Sequence, residues 1–186
     1  SLLNPIEVSL EALADSQAIA IGFTADVTNA ITTFDFPANS ALIKKLEKLF
    51  DLNLRDELEF FSATGKTGEL FEIPVASDQM QADRILLLGL GDVTTPSLRQ
   101  AGAALGRKGR GKATVISSIC VASHDQLKAF AISVQLGAYI WTQKTGATQE
   151  LPQFLFATEK PEVIIDAGVI ASAISRTRDL IHTPSN

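Results

Sequence analysis

This sequence is poor in cysteine, histidine and tyrosine, and it has no long apolar run. Its one cysteine, Cys120, excludes an intrachain disulfide. His124 follows four residues later, but nothing else nearby suggests the third member of a nucleophilic triad. Cys120 therefore reads as a buried apolar thiol in "ATVISSICVA", consistent with a reducing, cytoplasmic compartment. The two histidines, His124 and His182, lie far apart, and neither sits in a zinc-binding spacing. Asp and Glu are scattered, so no catalytic residue and no metal ligand is assigned. No stretch approaches the ~20 apolar residues of a membrane span, and no charged-then-apolar leader opens the chain. The first residue is Ser rather than Met, which points to processing or a trimmed end.

What is present describes an ordinary globular chain. With 186 residues it has the length of one domain, or one domain and a short extension. Such a chain buries roughly 70% of its unfolded surface and needs no disulfide or metal staple. Net charge is -5. An acidic domain repels phosphate unless its bases are clustered, so general nucleic-acid binding is not expected.

Apolar spacing predicts the elements. "PIEVSL" reads as a short strand in which Val8 and Leu10 alternate with Ser9, and "QAIAIGFT" as a second strand. "ADVTNAITTFDFPANS" reads as loop, with Pro37, Asn39 and Ser40 marking a boundary. Leu42, Ile43, Leu46, Leu49 and Phe50 recur at helical spacing, predicting an amphipathic helix over 40–51. "LEFF" and "ELFEIPV" flank a glycine-rich turn and read as a hairpin. Ile85 to Leu88 are continuously apolar, which predicts a strand covered on both faces. A helix over 95–108 follows, with Pro96 suited to its first turn. "KATVISSICVA" is the next strand, and Ser123 or Asp125 can cap a helix running to about Gln143 with Trp141 on its stripe. "PQFLFAT" is a last strand. Val163, Ala167, Ile170, Ile174 and Ile181 then predict a helix over about 160–181. Strands alternating with helices around a hairpin-like middle define an α/β layered domain with a mixed sheet flanked by helices.

Three stretches invite a functional reading. "ATGKTGE" fails as a phosphate loop, because the position five before Gly65 is Phe60 and a strand follows instead of a helix. Gly65 and Gly68 instead suit a turn with positive φ. "GLGDVTTPSLRQAG" is closer to a dinucleotide fingerprint, since a buried strand leads in and a helix leads out. Its third glycine position is Thr94, and no acidic residue follows a second strand, so a tight strand-to-helix turn is the better reading. Arg107, Lys108, Arg110 and Lys112 form a compact basic run and are the candidates for contact with an anion or nucleic acid. Cations also suit a helix C-terminus on electrostatic grounds alone.

Taken together, "ATGKTGEL", "DRILLLGLGDVTTPSLRQAGAALGR", "VQLGAYIWTQKTG" and "RTRDLIHTPSN" resemble, in order and spacing, the N-terminal domain of the leucyl (cytosol) aminopeptidase family. The resemblance covers most of residues 60–186. His182 stands where that family commonly has Asn, and Leu136 where Glu commonly precedes the glycine. The resemblance implies a three-layer, macro-domain-like unit over 1–181 and the start of a linker at 182–186. It implies a following catalytic domain with two divalent metal ions, zinc or manganese, and a cytoplasmic homohexamer that releases N-terminal amino acids from peptides. The family's N-T-D-A-E-G-R run is not in this sequence, so none of its catalytic or metal residues transfers to a position here. On this reading the chain has no peptidase activity of its own. The alternative is a stand-alone macro-like module that binds nucleotide or nucleic acid.

Overall fold

The computed structural model describes residues 1–37, 40–110, 114–117, 123–139 and 151–182. Within these, the chain runs β1 (Leu3–Ile6), β2 (Ala18–Thr28), β3 (Ile31–Asp35), α1 (Ser40–Phe50), α2 (Leu54–Phe60), β4 (Leu70–Pro74) and β5 (Arg84–Gly89). It continues through α3 (Thr95–Lys108), β6 (Thr114–Ser117), α4 (His124–Ala138), β7 (Gln153–Ala157) and α5 (Pro161–His182). A single 3₁₀ turn, Glu11–Leu13, joins β1 to β2.

Strand order is β1-β7-β6-β2-β5-β4, with β3 paired to the outer end of β2. All pairings are parallel except β4 with β5 and β3 with β2, so the sheet is mixed as expected. The β2–β5 register sets Ile19 beside Ile85 and Ile21 beside Leu87. Because side chains alternate between faces, these four point to one side and Ala18, Ala20, Leu86 and Leu88 to the other. Helices α1 and α2 cover the first side, and α3, α4 and α5 the second. The result is a helix–sheet–helix sandwich, and β5 is buried on both faces as its continuous apolar run predicts.

Local chemistry fixes the helices. Leu42, Ile43 and Leu46 of α1 face the core, while Lys44, Lys45 and Lys48 face solvent. Thr94 caps α3 by accepting from the Ser97 amide, and Ser123 caps α4 by accepting from the Gln126 amide. Helices α3 and α4 approach through glycine: a Cβ on Gly102 would meet the Phe130 carbonyl oxygen at 2.6 Å, and one on Gly137 the Ala103 Cα at 2.8 Å.

Four expectations are corrected. The stretch 25–35 is not loop but the end of β2, a tight turn and β3. Its Thr and Val residues are strand formers, and their alternation with exposed polar groups hides the pattern. "LEFF" belongs to α2 and its exit, not to a hairpin strand: Asn53 caps the helix, and Leu54 and Leu58 share its buried face. Val8–Leu10 is bend and turn, because the chain leaves the sheet after Ile6 to enter the 3₁₀ turn. Helix α4 ends at Ala138 rather than running to about Gln143, because Tyr139 leaves the helical conformation with φ of -59° and ψ of 129°. Trp141, Gln143, Cys120, Asn39 and the 183–186 tail lie outside the described residues.

Candidate functional site

The glycine-rich stretches come together at the carboxyl end of β5. Gly65 and Gly68 have φ of 77° and 80°, and Gly91 has φ of 62°. The Gly68 amide donates to the Gly89 carbonyl at 2.9 Å, and the Gly91 amide donates to the Gly65 carbonyl at 3.1 Å. The Leu90 amide donates to the Phe23 carbonyl at 2.9 Å. The Glu69 carboxylate turns back to accept from the Thr64 amide and from the Gly65 amide, the latter at 2.8 Å. A Cβ on Gly65 would meet that of Ala25 at 2.6 Å. A phosphate loop keeps its amides free for the ligand. Here those of Gly65, Gly68, Leu90 and Gly91 bond to the protein itself, so the two loops form a closed clasp between β2, β4 and β5.

The start of α3 is likewise occupied. Asp92 accepts from the Ser97 hydroxyl, from the Thr94 hydroxyl at 2.8 Å and from the Thr94 amide at 3.3 Å. These bonds, that from Ser97 foremost, hold its carboxyl below the ordinary aspartate value. A carboxylate of the chain thus stands where the dinucleotide reading needs a phosphate. Sequence inspection missed the roles of Asp92 and Glu69. The signal was an acidic residue next to each glycine turn, which can serve the backbone as well as a ligand.

The basic run divides. Arg107 is exposed at the end of α3. Lys108 pairs with Glu72 of β4 at 2.6 Å, and Glu72 also pairs with Arg84 at 2.7 Å. Arg110 donates to the Gly137 carbonyl at 2.8 Å and the Tyr139 carbonyl at 3.1 Å, closing the C-terminus of α4. Two of the four candidates therefore tie α3 to β4 and to α4, and Lys112 lies outside the described residues. Asn29 sits in the β2–β3 turn with φ of 52°.

At the far end of the helix layer, Tyr139 donates its hydroxyl to Asp179 and lies beneath Arg178, whose guanidinium is 5.9 Å from the ring centroid. The bond to Asp179, with desolvation and that carboxylate's charge, raises the Tyr139 pKa; Arg178 opposes the shift. His124 opens α4 beside Asp125, Lys128, Glu162 and Asp166 in a shallow surface depression, where Lys128 pairs with Asp166 at 2.6 Å. Among the described residues, no three His, Cys, Asp or Glu side chains converge so as to hold a metal ion. No described helix is long and apolar enough to cross a membrane.

A three-layer α/β domain, with the glycine turns at the carboxyl end of β5 held by hydrogen bonds within the chain, is thus the class that fold and geometry define. The sequence profile of the cytosol aminopeptidase family, N-terminal domain, matches residues 31–143, and the chain belongs to that family. A "Probable cytosol aminopeptidase" of Streptomyces griseus is 28% identical over 76% of this chain and 33% of its own. One of Rhodococcus jostii is 28% identical over 70% of this chain and 28% of its own. The chain spans about a third of the length of these relatives. Among solved structures, a mutant of tomato leucine aminopeptidase superposes with TM-score 0.69 at 14% identity, over 98% of this chain and 38% of that one. The bottromycin maturation enzyme BotP superposes with TM-score 0.61 at 19% identity, over 91% and 33%. At these identities the structures share the fold.

Proposed function

We propose that the chain is the non-catalytic N-terminal domain of a metal-dependent leucyl aminopeptidase, and that the whole protein releases N-terminal amino acids from peptides. The family match over 31–143 carries this reading, because it assigns the chain to the N-terminal unit of relatives some three times its length. Residues 1–181 form the unit and 182–186 begin the connection to a catalytic domain. That domain supplies the ligands for two divalent ions, zinc or manganese, which activate water and polarise the scissile carbonyl when bound. A manganese complex of BotP is among the solved structures that share the fold. The described side chains of this chain do not fit such a centre, so no step of the reaction is assigned to them. The assembly is a homohexamer held through the catalytic domains and works in the cytosol, a reading that the relatives' name, "Probable cytosol aminopeptidase", supports.

The test uses the purified chain with zinc or manganese and a leucine anilide. The expected result is no release of leucine above buffer. Release that needs the metal and disappears with a chelator would overturn the assignment. Reading the coding sequence beyond Asn186 is the independent check, with the family's catalytic signature expected there.

A further inference from the structure

The β2–β3 hairpin extends past the main sheet and ends in a two-residue turn, Asn29-Ala30, with φ of 52° and 61°. A turn of this length makes its flanking residues, Thr28 and Ile31, a hydrogen-bonded pair, and bonded and non-bonded pairs then alternate. Thr32 and Phe34, opposite Val27 and Ala25, fall at non-bonded positions, so their N–H and C=O groups aim away from β2. The Phe34 carbonyl is taken by the Arg55 guanidinium at 3.0 Å. Among the described residues, nothing outside β2 bonds to the Thr32 backbone or to the Phe34 N–H. Beside this edge runs a groove of about 580 Å³, lined by Val27, Ile31, Thr32, Phe34, Glu59 and Ala63. Val27 is 64% exposed and Ile31 66%, and Phe60 stands 81% exposed at the end of α2.

An unpaired strand edge beside exposed apolar side chains is a template for another strand. Charge selects the occupant. Asp26 and Asp35 lie on the hairpin and Glu59 in the groove. Arg55 is the one cation on β2, β3 and α2, and it is already engaged by Phe34, by the Phe36 ring and by Asp35. A second copy pairing through the same edge would set these carboxylates against their own duplicates. We propose that the outer edge of β3 and its groove receive, by strand addition, an extended segment of another polypeptide with alternating apolar side chains and net positive charge. This goes beyond the accessory role above and does not depend on it.

The test is amide hydrogen exchange on the 186-residue chain with a short synthetic peptide of alternating valine and threonine carrying a lysine at each end. The control peptide carries glutamates at the ends. The lysine peptide should slow exchange at Thr32 and Phe34 by about tenfold at saturation, and the glutamate peptide should leave it unchanged. Glu59→Lys should weaken the lysine peptide by about twofold to fivefold, the scale of a surface ion pair. Thr32→Pro should abolish the protection, because it removes a donor that β2 does not use. If circular dichroism shows that this variant is unfolded, Glu59→Lys decides. Equal protection by both peptides, protection elsewhere, no protection, or dimerisation through β3 without peptide would each overturn the proposal.

Discussion

Gly102 of α3 faces the backbone of Phe130 on α4 so closely that a Cβ on the glycine would stand 2.6 Å from the Phe130 carbonyl oxygen. An exposed helical Gly→Ala change gains about 1 kcal/mol of helix propensity. Here the helices would have to separate, and overpacking of this kind costs about 1–3 kcal/mol or more. Gly102→Ala should therefore lower the urea midpoint despite the better helix former. A raised midpoint would mean that the two helices tolerate a wider spacing.

Leu87 is fully buried on β5, between Ile21 of β2 and Phe71 of β4. Leu87→Ala should cost about 2–5 kcal/mol, through lost transfer energy and the cavity left behind. A loss below about 0.5 kcal/mol in urea unfolding would show that the layers close over the gap, contrary to the partial relaxation expected of a packed core.

Asp92 carries a pH signature. Its folded-state pKa is depressed, so its bonds to Ser97 and Thr94 stabilise the fold above the ordinary aspartate value of 3.8. That contribution fades as pH falls below 3.8 and through the lower folded value. Asp92→Asn should be less stable than the parent at neutral pH, and the gap should narrow on acidification. A gap that stays constant from neutral pH down into the acid range would show that the carboxylate charge is not what matters.

Gln135 is a buried polar hub with 5% exposure. Its carbonyl accepts from the Leu2 amide and the Ser1 hydroxyl, and its amide donates to the Ser172 hydroxyl, each at 3.2 Å. One side chain thus ties the start of the chain to α4 and α5. Gln135→Leu leaves these partners unsatisfied, at a cost of about 1–3 kcal/mol. Exchange at the Leu2 amide should accelerate in this variant, and unchanged exchange would show that β1 is held by its pairing with β7 alone.

The parts of the fold that were legible in the sequence are those where one face is apolar and the ends carry a cap. Helix α3 was readable from Thr95 to Lys108 because Pro96, Leu98, Ala101 and Leu105 state both its start and its stripe. Strand β5 was readable because four apolar residues in a row leave no other place for them. The β2–β3 hairpin was not, since its turn is Asn29-Ala30 and lacks the glycine that usually marks such a turn. The functional reading had the opposite weakness. Glycine and lysine in "ATGKTGE" look like ligand chemistry, but Glu69 and Ala25 decide that the loop is filled from within, and that is a matter of three-dimensional neighbours. Likewise Lys108 and Arg110 look alike in sequence, and only the positions of Glu72 and Gly137 show that both are engaged.

The alternation along β2 gives the two halves of the interior different tolerances. Toward α3, α4 and α5 it presents Ala18 and Ala20, and toward α1 and α2 it presents Ile19, Ile21 and Phe23. The first side, where glycines also bring α3 and α4 together, has no room for growth and should reject enlargement. The second, filled by bulky side chains, should accept exchanges of one large residue for another and reject shrinkage. A library drawn at these five positions would therefore sort by residue size in opposite directions on neighbouring positions of a single strand.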